Sequence, residues 1–175
     1  MRNTITALAA AFVLAVAGCG GDTTGEESVA SAPTASPTPK TAPVEDWAAL
    51  LRPHVREWGD LLKQKVEICL DSDTVDMCDD VYRSLEEKAE DIARVLTDAR
   101  LKEGTPTYLG EPPDEIASLV RETVDAARQV QQAWDTYEQV DCSDSTAGDC
   151  FAATYALEGF VELLTGALDG WTPYL

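Results

Sequence analysis

Apolar residues recur at spacings of three and four in four separate segments of the chain, and this is the period of an amphipathic α-helix. The segments cover residues 47–69, 75–99, 116–137 and 150–171. No segment alternates apolar and polar residues with a period of two, so strands are not expected. The sequence therefore predicts an all-α protein. Because the links between the segments are short, it favours an antiparallel up-down four-helix bundle.

Prolines and glycines indicate where these helices begin and end. Gly104 follows the second segment, where a glycine commonly ends a helix. A Pro-Pro pair at residues 112–113 precedes the third segment, and proline is tolerated in the first turn of a helix. Pro53 lies inside the first segment. There it removes a helical hydrogen bond, so we expect either a kink or a short separate helix before it.

The N-terminal segment has the composition of an export signal. Arg2 precedes an apolar run over residues 5–17, which is short for a membrane span and suits the core of a signal peptide. A Val-Ala-Gly-Cys tetrapeptide at residues 16–19 resembles the lipobox of bacterial lipoproteins. The start and the composition also resemble uncharacterised lipoproteins of high-GC Gram-positive bacteria. The resemblance implies cleavage after residue 18 and a diacylglycerol lipid on Cys19. The alternative is an ordinary secretory signal with an unmodified cysteine.

Three regions follow from these features. We predict a signal peptide at residues 1–18, a lipid-anchored tether at residues 19–43 and the helical domain at residues 44–175. The tether is predicted to be disordered because a segment rich in Gly, Ser, Thr and Pro buries too little apolar surface to fold. With its lipid in the bilayer, the protein is expected on the outer face of the cell membrane.

Four further cysteines flank two connections that the bundle places at one end, which we call the distal tip. Cys69 and Cys78 flank the first connection, and Cys142 and Cys150 flank the last. Export permits disulfides, and four cysteines can pair in three ways. We favour Cys69–Cys78 and Cys142–Cys150, because each pair joins adjacent antiparallel helices. The fold prediction is therefore a bundle with disulfide-stapled loops at one end.

The distal tip is also rich in carboxylates. Five aspartates lie within ten residues of the chain at the first connection: Asp71, Asp73, Asp76, Asp79 and Asp80. Carboxylate oxygens are ligands that Ca²⁺ prefers, so the cluster is a candidate calcium site, although it lacks the glycine and the glutamate of an EF-hand loop. The alternative is a solvated connection whose carboxylates stabilise the positive end of a helix dipole.

Few side chains offer acid–base chemistry. His54 is the single histidine and lies on the apolar stripe, so we expect a packed ring bonded to a neighbouring helix rather than a catalyst. Glu158 and Glu162 are one helical turn apart, and we expect them to face solvent or an arginine rather than to form a dyad. No nucleophile motif accompanies these residues. The sequence therefore predicts no catalytic residue and no enzyme.

The chain carries 32 acids and 13 bases, a formal charge of −19. This excludes nucleic-acid binding through the net field. Eight acids but no bases follow Arg128, so a protein partner is expected to present a basic face. We predict a binding module for an unidentified envelope protein. The alternative is a carrier or sensor of a small ligand or divalent cation, using the acidic tip or a tryptophan-lined bundle interior.

Overall fold

The structure is a computed structural model that describes residues 41–69, 75–140 and 148–175. Four α-helices follow one another in this part of the chain, and a short 3₁₀ turn follows the last of them. They are α1 (Val44–Cys69), α2 (Val75–Leu101), α3 (Asp114–Glu138) and α4 (Gly148–Asp169), with the turn at Thr172–Tyr174. No strand occurs within the described ranges, and the predicted all-α, four-helix architecture is confirmed.

Each helix packs against the next one along the chain, so that α3 lies between α2 and α4. In contrast, α1 and α4 make few close backbone approaches. Long side chains join them instead, and the indole Nε1 of Trp58 donates a hydrogen bond to Thr165 Oγ1 at 3.0 Å. The helix α3 therefore packs against α2 on one side and against α4 on the other, and a surface groove lies along each of these two boundaries.

The four tryptophans form the centre of the core. Trp47, Trp58 and Trp171 are fully buried and Trp134 is nearly so. Trp171 Nε1 donates a hydrogen bond to the hydroxyl of Thr123, a buried polar side chain of α3. Burying aromatic rings of this size makes a large hydrophobic contribution to stability. The tryptophans are thus packing residues of the core.

Pro53 does not divide the first helix, because α1 continues through it from Val44 to Cys69. The short separate helix that was one of the two expectations does not form. Pro53 and Ala49 are both exposed, so water can reach the Ala49 carbonyl that has lost its helical donor. Buried Trp47 and Trp58 anchor the helix on either side of the proline.

The second helix ends as the sequence predicts. After Leu101 the chain turns, and Gly104 adopts a left-handed conformation with φ of +82°. Gly110 has φ of +84°, a region that L-residues with a side chain rarely adopt. The N–H groups of Leu109 and Gly110 both donate to the carbonyl of Ala99, at 2.7 and 3.1 Å. The connection to α3 is therefore folded back onto the end of α2.

The same connection receives the chain where it enters the bundle. Thr41 forms an isolated β-bridge with Gly110, and the N–H of Ala42 donates to the carbonyl of Leu109 at 3.1 Å. Ala42 is buried, so the contacts of the helical domain extend at least to Thr41, before the predicted start at residue 44. Chain entry and the second connection share one end of the bundle, which we call the entry end.

Candidate functional site

The predicted disulfide between Cys69 and Cys78 is present and joins the end of α1 to α2, with 5.0 Å between the Cα atoms. Cys150 is also disulfide-bonded, but Cys142, its predicted partner, lies outside the described residues. Cys19, the predicted lipidation site, lies outside them as well, together with the signal peptide and all but the last three residues of the tether. The first staple of the distal tip is therefore confirmed, and the second pairing stays a prediction.

The aspartate cluster is only partly described. Asp71 and Asp73 lie outside the described residues, and so does the side chain of Asp76. Asp79 accepts a hydrogen bond from the hydroxyl of Tyr137 at 2.6 Å, which joins α2 to α3. The described residues contain no group of three or more His, Cys, Asp or Glu side chains arranged to hold a metal. Asp79 thus has an interhelical role, and the calcium site stays a prediction that also involves exposed Asp80.

A second polar contact lies beneath the tip. Glu158 of α4 accepts a hydrogen bond from the buried Tyr82 hydroxyl and forms an ion pair with Lys65 of α1. The Lys65 ammonium lies 5.6 Å from the centre of the Tyr82 ring. Burial is the main cause that raises the pKa of the Tyr82 hydroxyl, and the neighbouring carboxylate adds to it. Glu158 therefore ties three helices together, and its partners are a lysine and a tyrosine rather than the expected solvent or arginine.

The single histidine does not make the expected hydrogen bond through its Nδ1 atom. His54 is half-buried, and its Nδ1 is buried without a hydrogen-bond partner among the described residues. Burial is the main cause that lowers the pKa of the imidazole, and the charge of Lys88 lowers it further. Burial and the charge of Lys88 therefore favour the neutral imidazole, which packs on α1.

A groove of about 440 Å³ runs between α3 and α4 and contains three carboxylates and no basic side chain. We call it the acidic groove. Its lining consists of Glu122, Asp125, Ala126, Gln129, Glu162, Leu163, Gly166 and Ala167. A smaller cavity of about 240 Å³ shares Gln129 and extends along the same two helices as far as Ala153. The α3–α4 boundary is thus open to solvent over much of its length.

The outer face of α4 beside this groove is apolar. Phe151, Tyr155 and Leu163 are 72%, 74% and 48% exposed, and the first two rings stack with centroids 6.1 Å apart. A Cβ atom added at Gly159 or Gly166 would meet nothing within 4 Å. By length and composition alone, α4 with its following turn is the one described helix that could cross a membrane. Here it lies against α3 and leaves this face uncovered.

A different groove, of about 360 Å³, lies between the end of α2 and the first half of α3. Three arginines line it, and we call it the arginine groove. Its lining consists of Leu96, Thr97, Arg100, Leu101, Glu111, Pro112, Ala117, Val120, Arg121, Val124, Asp125 and Arg128. Sequence reasoning missed this groove. The available signal was the seven-residue spacing of Arg121 and Arg128, which places both on one face of a helix.

These features define the class of protein as a small four-helix domain that carries surface grooves on both sides of one helix. Comparisons of the chain with protein-family models, with curated proteins and with solved structures found no match. The chemistry of the two grooves and of the α4 face is therefore what points to a function.

Proposed function

We propose that this protein is a lipid-anchored, extracytoplasmic interaction module that binds a basic amphipathic helix of an envelope protein. The proposed binding surface is the acidic groove together with the exposed face of α4 formed by Phe151, Tyr155 and Leu163. The observation that carries the proposal is an apolar face of α4 next to a groove whose lining has three carboxylates and no base.

The apolar character of the surface supports a helical partner. Half of the large exposed hydrophobic side chains in the described ranges lie on α4, and they are Phe151, Tyr155 and Leu163. Clustered exposed apolar residues mark interaction surfaces, whereas scattered ones are ordinary. Small residues at Ala152, Ala156, Gly159 and Gly166 are separated by four, three and seven residues, which places them on one side of α4 and leaves room for another helix. An amphipathic helix laid in such a groove buries its own apolar stripe.

The charge of the surface selects the kind of partner. Glu122, Asp125 and Glu162 line the groove without a base, and no Lys or Arg follows Arg128 in the sequence. A second copy of the chain would bring carboxylates against carboxylates, which disfavours approach. An anionic membrane surface is disfavoured for the same reason. A helix with Lys or Arg beside its apolar stripe has the complementary charge.

The proposed anchor would attach at the end of the domain opposite the aromatic pair of this surface. The lipobox resemblance supports a lipid on Cys19, and the chain enters the bundle at the end where Thr41 contacts Gly110. The tether would span roughly 25–30 Å as a flexible coil. Phe151 and Tyr155 lie in the first turns of α4, toward the distal tip. The exposed aromatic pair would therefore lie at the end of the domain opposite the tether, where a partner can reach it.

The anchor has a direct test. We expect the mature protein to begin at a lipid-modified Cys19, which mass spectrometry of the N-terminal peptide detects. The Cys19→Ser chain is expected to carry no lipid, which the same measurement detects. An unmodified residue 19 in membrane-bound protein would contradict the proposal.

The binding surface is tested with a synthetic peptide that has Leu and Lys at helical spacing, and with a twin that has Glu in place of Lys. Isothermal titration of the chain from residue 19 onward with Cys19→Ser, which carries neither the apolar signal segment nor a lipid, is expected to show binding of the Lys peptide alone. Tyr155→Ser and Glu162→Gln should each weaken it about tenfold, because each removes an anchor or a charge partner.

Matched controls separate this surface from general acidity. Val66→Ser removes another exposed apolar side chain, from α1, and Glu45→Gln removes an acid from the first turn of the same helix. Neither is expected to change peptide affinity. If these controls weaken binding as much as the α4 variants do, the peptide binds through net charge and the proposed surface is wrong.

A further inference from the structure

We propose that the arginine groove is a binding site for an anionic single-chain amphiphile, a molecule with a carboxylate or phosphate head and a linear apolar tail. This inference is independent of the proposed function, because it concerns the opposite side of α3 and a different ligand. It rests on the lining of the groove, on the partners of its arginines and on its place in the fold.

The floor of the groove is apolar. Leu96 and Val120 are buried and form its base, with Val124 beside them. At the rim, Leu101 is 62% exposed although it is a large apolar side chain. Covering Leu101 and the floor with an alkyl chain would remove apolar surface from water, at about 25 cal/mol for each Å². The groove volume of about 360 Å³ is within the range of small-molecule sites.

The arginines provide the site for an anion. Arg100 is paired with Glu111 through its Nε atom at 3.0 Å. Arg121 and Arg128 form no ion pair with any residue in the described ranges. Guanidinium groups bind carboxylates and phosphates through two parallel hydrogen bonds. Two unpaired arginines beside an apolar floor therefore match an anionic head joined to an apolar tail.

The local charge of the groove is opposite to that of the domain. Residues 44–175 contain 29 acids and 11 bases, whereas the groove has three arginines against Glu111 and Asp125. Arg121 and Arg128 are the last two bases of the chain. In an otherwise acidic domain, this groove is a region where an anion can approach without net repulsion.

The groove opens at the entry end of the bundle. Leu101, Glu111 and Pro112 line it, and they adjoin the connection that holds the incoming chain through Leu109 and Gly110. The ligand can come from two sources with the same chemistry, a free amphiphile or a lipid that leaves the bilayer. The experiment therefore includes one arm for each source.

Calorimetric titration of the chain from residue 19 onward, with Cys19→Ser and without the apolar signal segment, with monomeric dodecyl phosphate tests the proposal. Dodecyl maltoside has the same tail with a neutral head, and inorganic phosphate is the head without the tail. We expect saturable binding of dodecyl phosphate at one site, and binding at least tenfold weaker for the other two probes. Equal affinity for dodecyl maltoside or for inorganic phosphate would overturn the assignment.

Substitutions locate the binding. Arg121→Gln and Arg128→Gln should each lower the affinity for dodecyl phosphate about tenfold. This is the usual effect of losing a hydrogen bond to a charged group. Leu101→Ser should weaken it several-fold. Arg52→Gln, which changes an exposed arginine of α1 outside the groove, is the matched control. Because all four side chains are exposed, the thermal unfolding midpoint should stay unchanged. Equal losses for Arg52→Gln and Arg121→Gln would disprove the site.

The second arm uses phosphatidylcholine vesicles that contain lysophosphatidic acid. Extraction of the lysolipid by the chain, reduced by Arg121→Gln but not by Arg52→Gln, would show that the site also accepts the amphiphile from a bilayer. Binding to these vesicles without any binding of monomeric dodecyl phosphate would overturn the proposal, because the chain would then recognise a surface rather than a single molecule.

Discussion

The two grooves share α3 as a common wall but have opposite chemistry. On the side that faces α2, Arg121 and Arg128 lie beside an apolar floor. On the side that faces α4, Glu122 and Glu162 lie beside small residues. Consecutive residues of a helix point about 100° apart, so the neighbours Arg121 and Glu122 enter different grooves. The formal charge of −19 of the whole chain therefore agrees in sign with the acidic groove but does not predict the arginine groove.

Removing a buried side chain that supports α3, the helix shared by both grooves, should have the largest effect. Trp171→Ala empties a fully buried site whose indole bonds to Thr123 of α3. We expect the free energy of unfolding to fall by about 3–5 kcal/mol, measured by urea denaturation. Both the Lys peptide and dodecyl phosphate should then bind more weakly. Trp171→Phe keeps a ring in place and is expected to cost less. If Trp171→Ala kept its full affinity for one of the two ligands, the grooves would not depend on α3 as a common wall.

Removing the disulfide should change stability without distinguishing the grooves. The Cys69→Ser, Cys78→Ser double variant opens a loop with a sequence separation of 9. The chain-entropy relation predicts a loss of about 2.5–3 kcal/mol in the free energy of unfolding, again measured with urea. The bridge joins α1 to α2 at the distal tip, so both ligands should keep their affinities while the domain stays folded. Selective loss of one ligand would show that the tip is coupled to that groove.

Gly166→Ala separates stability from binding at the acidic groove. A helical glycine costs about 1 kcal/mol relative to alanine, and an added Cβ here meets nothing within 4 Å. The midpoint of thermal unfolding should therefore rise, while the Lys peptide loses affinity because the new methyl group occupies its groove. Dodecyl phosphate binding should not change. In Gly170→Ala the new Cβ would lie 2.8 Å from Leu119 Cδ1, so that control should bring no gain in stability.

Asp125→Asn gives the smallest but most discriminating effect, because Asp125 lines both grooves. Removing one exposed carboxylate should change each affinity about two- to threefold, as expected for an exposed charge pair. The signs should differ, with weaker binding of the Lys peptide and tighter binding of dodecyl phosphate. Calorimetric titration with each ligand measures the two affinities. Changes of the same sign would mean that the grooves do not act as separate electrostatic sites.

Much of the fold was predictable because helix period and helix ends are local properties. The four segments, the left-handed glycine after α2 and the Cys69–Cys78 bridge all follow from spacing along the chain. Of the two expectations at Pro53, a kink or a short separate helix before it, the separate helix does not form. Helix propensity considers only the proline and its local backbone. In the folded domain, buried Trp47 and Trp58 anchor the chain on both sides of the proline within one helix.

The candidate sites were less predictable. The interpretation from sequence placed the acids at the distal tip, but the acidic groove takes Glu122 and Asp125 from the middle of α3 and Glu162 from α4. In the sequence, Glu158 and Glu162 are an equivalent pair one helical turn apart. In the structure, Glu158 contacts Lys65 and Tyr82, whereas Glu162 is exposed. Which of two carboxylates one turn apart meets a lysine depends on the rotation of α4 against α1.

The sequence by itself determined the number of helices, their approximate ends, the first disulfide and the excess of acid over base, because each depends on residue type and local spacing. Only the tertiary structure decided which faces of α3 border α2 and α4. That choice placed Arg121 and Arg128 over an apolar floor and left Phe151 and Tyr155 uncovered. The physical reason is that a groove is formed by the packing of two helices, and the rotation of each helix about its axis is set by the whole core.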